Sequence, residues 1–257
     1  MKPSPIRCFD GNAKPYEPFW TFRNESETDS GETEIEFYGP ISEFLWWGDE
    51  ISPKMFKEQL YQKGGGKPVT VRLNSPGGDL IAASVIRATM IDYPGRVTVK
   101  IDGMAASAAV MVALGGDVIK IQISAYMMIH EAAVGLLGYF NVEMLKDLID
   151  ELKVINSGIV DAYVTKTKME SEKLGKMMAA ETWMTASEAV AYGFADEIIS
   201  GPAKQASQVA NYTNLLKTTY VNTPSVLLTS LQRNTDESER RATRLAAQAM
   251  QFITNKE

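Results

Sequence analysis

Val97-Thr-Val-Lys-Ile-Asp-Gly-Met-Ala-Ala-Ser-Ala-Ala-Val-Met111 is the stretch on which the fold turns. Val97 to Ile101 is a β-branched alternating run and reads as a strand. From Gly103 onward the side chains are small, with one serine among alanines. A helix beginning near Ala106 would put Ser107 in its first turn, where free N–H groups and the positive dipole end favour a developing oxyanion. Alanine on both sides suits a helix that enters directly from a buried strand. The motif is not the Gly-x-Ser-x-Gly elbow of α/β-hydrolases. Ser107 is therefore a candidate nucleophile, and such a hydroxyl needs a base within hydrogen-bond reach and donors for its oxyanion.

The chain holds a single histidine, so any serine-histidine mechanism must use His130, at the end of the apolar stretch Tyr126-Met-Met-Ile-His130. Upstream, Leu73-Asn-Ser-Pro-Gly-Gly-Asp79 closes another β-branched run with a glycine pair. Lacking Cβ atoms, Gly77 and Gly78 let the main chain approach a substrate closely, with the Gly78 N–H the preferred oxyanion donor and Ala108 the second. The same residues admit plainer readings. Ser107 could be a packing residue, His130 a satisfied core histidine, and Pro76-Gly77 the centre of a type II turn.

Asn74-Ser-Pro-Gly-Gly78, Gly103-Met-Ala-Ala-Ser107 and Met128-Ile-His130 together resemble, in order and spacing, the proteolytic subunit of the Clp proteases. The resemblance runs from Glu34 to Ile199. It implies an α/β chain with the ClpP/crotonase-like fold of repeated ββα units and a long handle helix. It also implies a self-assembling serine endopeptidase whose rings, single or double, enclose sites acting on polypeptide substrates. The family commonly has an aspartate a few residues before a Ser-Ala-x-Glu-Ala segment. Aligning that segment with Thr185-Ala-Ser-Glu-Ala189 puts Glu181 in its place, as the third member of the site. Asp196, in the family's closing strand, is expected to be structural. No metal or organic cofactor is implied.

With 257 residues and 45% hydrophobic content, one full core can be buried. A net charge of −6 argues against a general nucleic-acid binder. Cys8 is the only cysteine, which excludes an intrachain disulfide or a multi-thiolate zinc site and fits a reducing compartment. The start, Met1-Lys-Pro-Ser-Pro-Ile-Arg7, lacks the apolar core of a signal peptide, and Met104 to Leu114 is too short to span a bilayer. The expectation is a soluble, cytoplasmic protein with no membrane partner.

Three segments follow. Residues 1–33 form a proline-rich extended arm, residues 34–200 the peptidase domain, and residues 201–257 a C-terminal extension with an amphipathic helix over Asp236 to Ile253. Between Glu25 and Glu50 stand nine acidic residues and no lysine or arginine, read as a solvated face. Within the domain, strands are predicted at Glu34–Gly39, Val69–Asn74, Arg96–Ile101, Asp117–Ile123 and Tyr126–Ile129. Helices are predicted after Ser52-Pro53, over Asp79–Asp92, from Asn141, over Glu170–Met178 and after Thr185, with a last strand into Ile199. From Asn141 the apolar positions Leu145, Leu148, Leu152, Ile155, Ile159 and Ala162 recur at heptad spacing, which suits packing within the subunit or between subunits. In the resembled family this region is the handle that joins two rings.

Two departures from the family pattern narrow the expectation. The family's usual axial-loop segment is not recognised in the proline-rich and acidic stretch that stands where it would be, and a C-terminal extension is present. Both make the chain look more like the Clp-like proteases of phage head maturation, which implies capsid or scaffold proteins as partners. The rivals are a housekeeping subunit fed by a Clp ATPase, acyl-CoA chemistry on the crotonase fold, a non-catalytic shell or scaffold, and a serine-lysine dyad.

Overall fold

The computed structural model describes residues 22–23, 33–42, 51–136, 138–200 and 220–225. Most of the N-terminal arm and the helix expected over Asp236 to Ile253 lie outside these residues. Eight strands join in one sheet whose main path runs β1-β2-β3-β4-β5-β8, with β6 paired to β4 and β7 paired to β6. The strands are β1 (Phe22–Arg23), β2 (Thr33–Tyr38), β3 (Val69–Ser75), β4 (Val97–Ala106), β5 (Val118–Gln122), β6 (Tyr126–Ile129), β7 (Thr182–Thr185) and β8 (Glu197–Ile199). All pairings from β2 to β8 along that path are parallel, as is β4 with β6. Strands separated by helical crossovers pair in this way.

The helices begin and end where side chains satisfy their free backbone groups. Helix α1 (Pro53–Gly64) has Pro53 in its first turn and stops at Gly65 in the left-handed conformation. Asp79 accepts from the Ala82 N–H at 2.9 Å at the start of α2 (Leu80–Ile91). Asn141 accepts from the Met144 N–H at 2.9 Å before α4 (Val142–Thr167). A reciprocal Thr185–Glu188 capping box opens α6 (Ala186–Ala191). The remaining helices are α3 (Ala108–Ala113) and α5 (Ser171–Ala179).

One core runs through these elements. Val71, Leu73, Val99, Ile101, Ile119 and Ile121 are fully buried in the central strands, against Ile86 of α2, Val110 of α3 and Leu174 of α5. At about 25 cal/mol per Å² of apolar surface, such side chains contribute roughly 1.5–3 kcal/mol each. Helix α4 joins this core only near its end, through Ile159 and Tyr163. Its earlier turns leave Val142, Met144, Leu145 and Ile149 exposed.

Strand β4 is what positions the site. Thr98 to Ile101 pair with β5, and Met104 to Ala106 pair instead with β6. The strand runs five residues beyond the predicted Ile101, because the small side chains after Gly103 pair with a neighbour rather than starting a helix. At the changeover, Asp102 accepts a two-point ion pair from Arg72 at 2.8 and 2.9 Å and a hydrogen bond from the Tyr38 hydroxyl at 2.6 Å. The Asn74 side chain accepts from the Met104 N–H at 3.1 Å, and a Cβ on Gly103 would stand 2.7 Å from that same oxygen. Gly103 is thus required by the close approach of Asn74. Asp196 accepts from the Ile119 N–H at 2.8 Å and pairs with Lys166 at 2.6 Å, holding β5 beside the start of β8.

Candidate active site

Ala106 stands opposite Met128 in the parallel β4–β6 pair, and the next N–H, that of Ser107, donates to the Met128 carbonyl at 2.8 Å. This register brings together two residues that lie 23 apart in the chain. Ser107 Oγ and His130 Nε2 are 2.7 Å apart.

Ser107 is not in the first turn of a helix, as the sequence led one to expect. Helix α3 starts at Ala108, and Ser107 occupies the turn before it with φ 55° and ψ −124°. A non-glycine residue in that region is strained, of order 1–3 kcal/mol, and such strain gathers at functional sites. The physical reason is the extra length of β4. Pairing with β6 continues through Ala106, so one residue must reverse the chain before α3 can begin. Although the sequence lacks the hydrolase elbow motif, the backbone makes a comparable sharp strand-to-helix turn.

The glycine loop lies against this turn. Gly77 has φ 96°, and a Cβ there would stand 2.6 Å from the Ala106 carbonyl oxygen and 2.8 Å from Ser107 Cβ. Gly78, at φ 141°, is pressed against the backbone of Ile41, whose N–H donates to the Gly77 carbonyl while its carbonyl accepts from Asp79. Both bonds to Ile41 are made by the residues on either side of Gly78, which leaves its own N–H out of that pairing. Gly78, Ser107, Ala108 and His130 line one pocket of about 280 Å³, with Ile159 and Tyr163 of α4 also on its wall.

His130 is half-buried, and its pKa lies below the ordinary histidine value. Burial is the main cause, opposed by the charges of Glu181 and then Glu131. The imidazole is thus kept neutral near pH 7, the form a general base requires.

Glu181 sits just before β7, a strand that sequence periodicity did not reveal, with its own backbone at φ 48°. Its charge acts on His130, but its hydrogen bonds go elsewhere. The carboxylate accepts from the N–H of Val221 at 2.9 Å, from that of Asn222 at 2.6 Å, and from the Trp183 indole at 3.5 Å. Tyr220 lies beside the pair, its ring edge-on to His130 at 5.4 Å, and is only 6% exposed. Its phenol is pushed up to about 12 by burial, while a hydrogen bond with Ser107 acts in the opposite direction. Sequence reasoning missed Tyr220 and Trp183, and Tyr220 stands in a polar segment without periodicity that offered no signal.

Among the described residues, no helix is long and apolar enough to cross a membrane, and no group of three or more His, Cys, Asp or Glu side chains is arranged to hold a metal ion.

Comparison with known proteins identifies the family and the fold. Residues 48–202 match the family model described as Clp protease. The chain is 26% identical over 195 residues to the ATP-dependent Clp protease proteolytic subunit 1 of Cutibacterium acnes, covering 72% of this chain and 88% of that one. It is 25% identical to the ATP-dependent Clp protease proteolytic subunit of Deinococcus radiodurans, covering 67% and 89%. Among solved structures, ClpP1 from Listeria monocytogenes superposes with a TM-score of 0.54 at 22% identity, covering 65% of this chain and 91% of that one. The fold is the ClpP-like α/β fold expected from the sequence.

Proposed function

The chain belongs to the Clp protease family, and from that premise we propose that it is a self-assembling serine endopeptidase built on Ser107 and His130. The observation that carries the assignment is the 2.7 Å contact between Ser107 Oγ and His130 Nε2 on the wall of an open pocket. With its other ring nitrogen protonated, His130 accepts the Ser107 proton through Nε2 as Oγ bonds to the carbonyl carbon of the scissile peptide. The negative charge moves to the carbonyl oxygen, where the N–H groups of Gly78 and Ala108 stabilise it. His130 then returns its proton to the leaving amine as the C–N bond breaks. Water attacks the acyl-serine by the same route, releasing the acid and restoring the hydroxyl. Glu181 is the acid of the site, acting on the charge of the imidazolium.

The family match begins at residue 48 and ends at 202. The proline-rich arm and the residues beyond 202 support the finer reading of a phage head maturation type, acting on capsid or scaffold proteins. The names of the relatives, which call them ATP-dependent, support the rival, a subunit fed by a Clp ATPase. Pull-down of a Clp ATPase by the full chain would favour the rival. Specific cleavage of a co-expressed capsid or scaffold protein without any ATPase would favour the first.

The chemistry is tested by intact mass after fluorophosphonate treatment. One adduct should form on the parent chain and none on Ser107→Ala at unchanged oligomeric state. An adduct of equal yield on Ser107→Ala would remove Ser107 from the mechanism.

A further inference from the structure

Tyr220, Val221 and Asn222 come from beyond the family match, yet Val221 and Asn222 both donate to the carboxylate of Glu181 and Tyr220 packs beside His130. The Tyr220 ring lies over the outer face of β4, β6 and β7, on Met104, Ala106 and Met128 and edge-on to Trp183 at 6.1 Å. The β4–β6–β7 register places Ala106, Met128 and Trp183 side by side in one row, so the slot under the ring is formed by three strands at once. At the far end of the ring, the Tyr220 hydroxyl donates to the carbonyl of Pro76, at the head of the glycine loop. The two following N–H groups close on Glu181, and the Asn222 side chain donates to the Ala180 carbonyl at 3.1 Å. Val221, between them, is 91% exposed. An inward tyrosine, an outward neighbour and main-chain bonds to the site make the segment look like a bound peptide.

We propose that this face is a binding slot for a polypeptide segment presenting a tyrosine, and that the chain's own Tyr220–Asn222 fills it as an intramolecular ligand. While the segment is seated, Glu181 spends its acceptor capacity on Val221, Asn222 and Trp183 rather than on His130, and the tyrosine stands beside the nucleophile. Displacement of the segment frees both the slot and the carboxylate. The occupied state is therefore the less active one, and a competing tyrosine-bearing chain both enters the slot and relieves the block.

The proposal rests on the peptidase reading of Ser107 and His130, and its test has one arm that does not depend on that reading. In the first arm, the rate of fluorophosphonate labelling of the full chain is compared with Tyr220→Ala and with Asn222→Pro, which removes one N–H to Glu181 and the side-chain bond to the Ala180 carbonyl without touching the core. If the segment covers the site nine-tenths of the time, its release speeds labelling by about tenfold. In the second arm, a dye-labelled peptide Thr218-Thr-Tyr-Val-Asn-Thr-Pro-Ser225 is titrated onto the Tyr220→Ala, Ser107→Ala double variant by fluorescence anisotropy. It should bind there about tenfold more tightly than to Ser107→Ala alone, and a peptide with alanine for tyrosine should not bind. Labelling of both variants at or below the parent rate, or absence of saturable peptide binding, overturns the proposal. Should Ser107 resist labelling in every variant, the peptidase reading falls and peptide binding alone decides whether the slot exists.

Discussion

Replacing Gly77 by alanine should damage both catalysis and stability, and the structure gives the size of both effects. At φ 96°, an L side chain is strained by about 1–2 kcal/mol relative to glycine. The added Cβ would also stand 2.6 Å from the Ala106 carbonyl oxygen, 2.8 Å from Ser107 Cβ and 3.1 Å from the Ala108 nitrogen. Two of these contacts are backbone atoms that cannot swing aside. Overpacking of this kind costs about 1–3 kcal/mol, so the total is roughly 2–5 kcal/mol. Relief comes from moving the glycine loop away from Ser107, which carries the Gly78 N–H out of line with the oxyanion. A shift approaching 1 Å is worth about 100-fold in rate. The control is Gly65→Ala, where φ is also positive, at 56°, but nothing stands within 4 Å of the new Cβ. It should lose about 1 kcal/mol and no activity. The assay is kcat/KM on a fluorogenic peptide beside denaturant unfolding of both variants. Full activity in Gly77→Ala, or equal losses of activity in the two variants, would refute the account of the loop.

Three more outcomes are expected. Because burial depresses the His130 pKa and the base must be neutral, the acid limb of the kcat/KM profile should lie below the ordinary histidine value; a midpoint at 7 or above contradicts this. Glu181→Gln removes a charge that raises the His130 pKa, so the limb should move further down, and turnover should fall by more in a Tyr220→Ala background than in the parent, up to about 10⁴-fold where the acid works as in other triads. An equal fall in both backgrounds would show that the C-terminal segment does not compete for the carboxylate. On α4, Leu145→Asp with Ile149→Asp adds charge to side chains that are 40% and 51% exposed in the single chain, and should reduce the assembly seen by sedimentation velocity; an unchanged sedimentation coefficient would place the subunit contacts elsewhere.

What the sequence disclosed depended on whether a residue's role is written in a local pattern. The caps at Ser52, Asp79, Asn141 and Thr185 are local, since each side chain bonds a backbone group three residues on, and all four stand where they were read. The parallel pairing of β3 with β4 follows from the spacing of strand, helix and strand. The length of β4 does not. Small residues after Gly103 suit a helix and a tightly paired strand equally well, and the choice was made by β6, twenty residues away, whose pairing is invisible to local propensity. That one non-local pairing moves Ser107 out of a helix and into the strained turn.

The same distinction explains why the surroundings of the acid could not be read. Alignment to a family segment could put Glu181 near the imidazole, because the spacing from Thr185 back to Glu181 is short and local. Which donors its carboxylate accepts from is settled by a segment 40 residues later, through backbone N–H groups that carry no side-chain signature. Val221 holds one carboxylate oxygen and Asn222, with Trp183, the other, so both oxygens are engaged away from His130. The use of Glu181 as the orienter of His130 is therefore a competition between two partners, and the sequence names only one of them. Tyr220 decides that competition by packing, since its burial on Met104, Met128 and Trp183 holds the two following N–H groups in place. Loss of that ring should release Glu181 even though the ring makes no hydrogen bond to it, so the carboxylate proposed as the third member of the site is governed by an aromatic contact that it does not itself make.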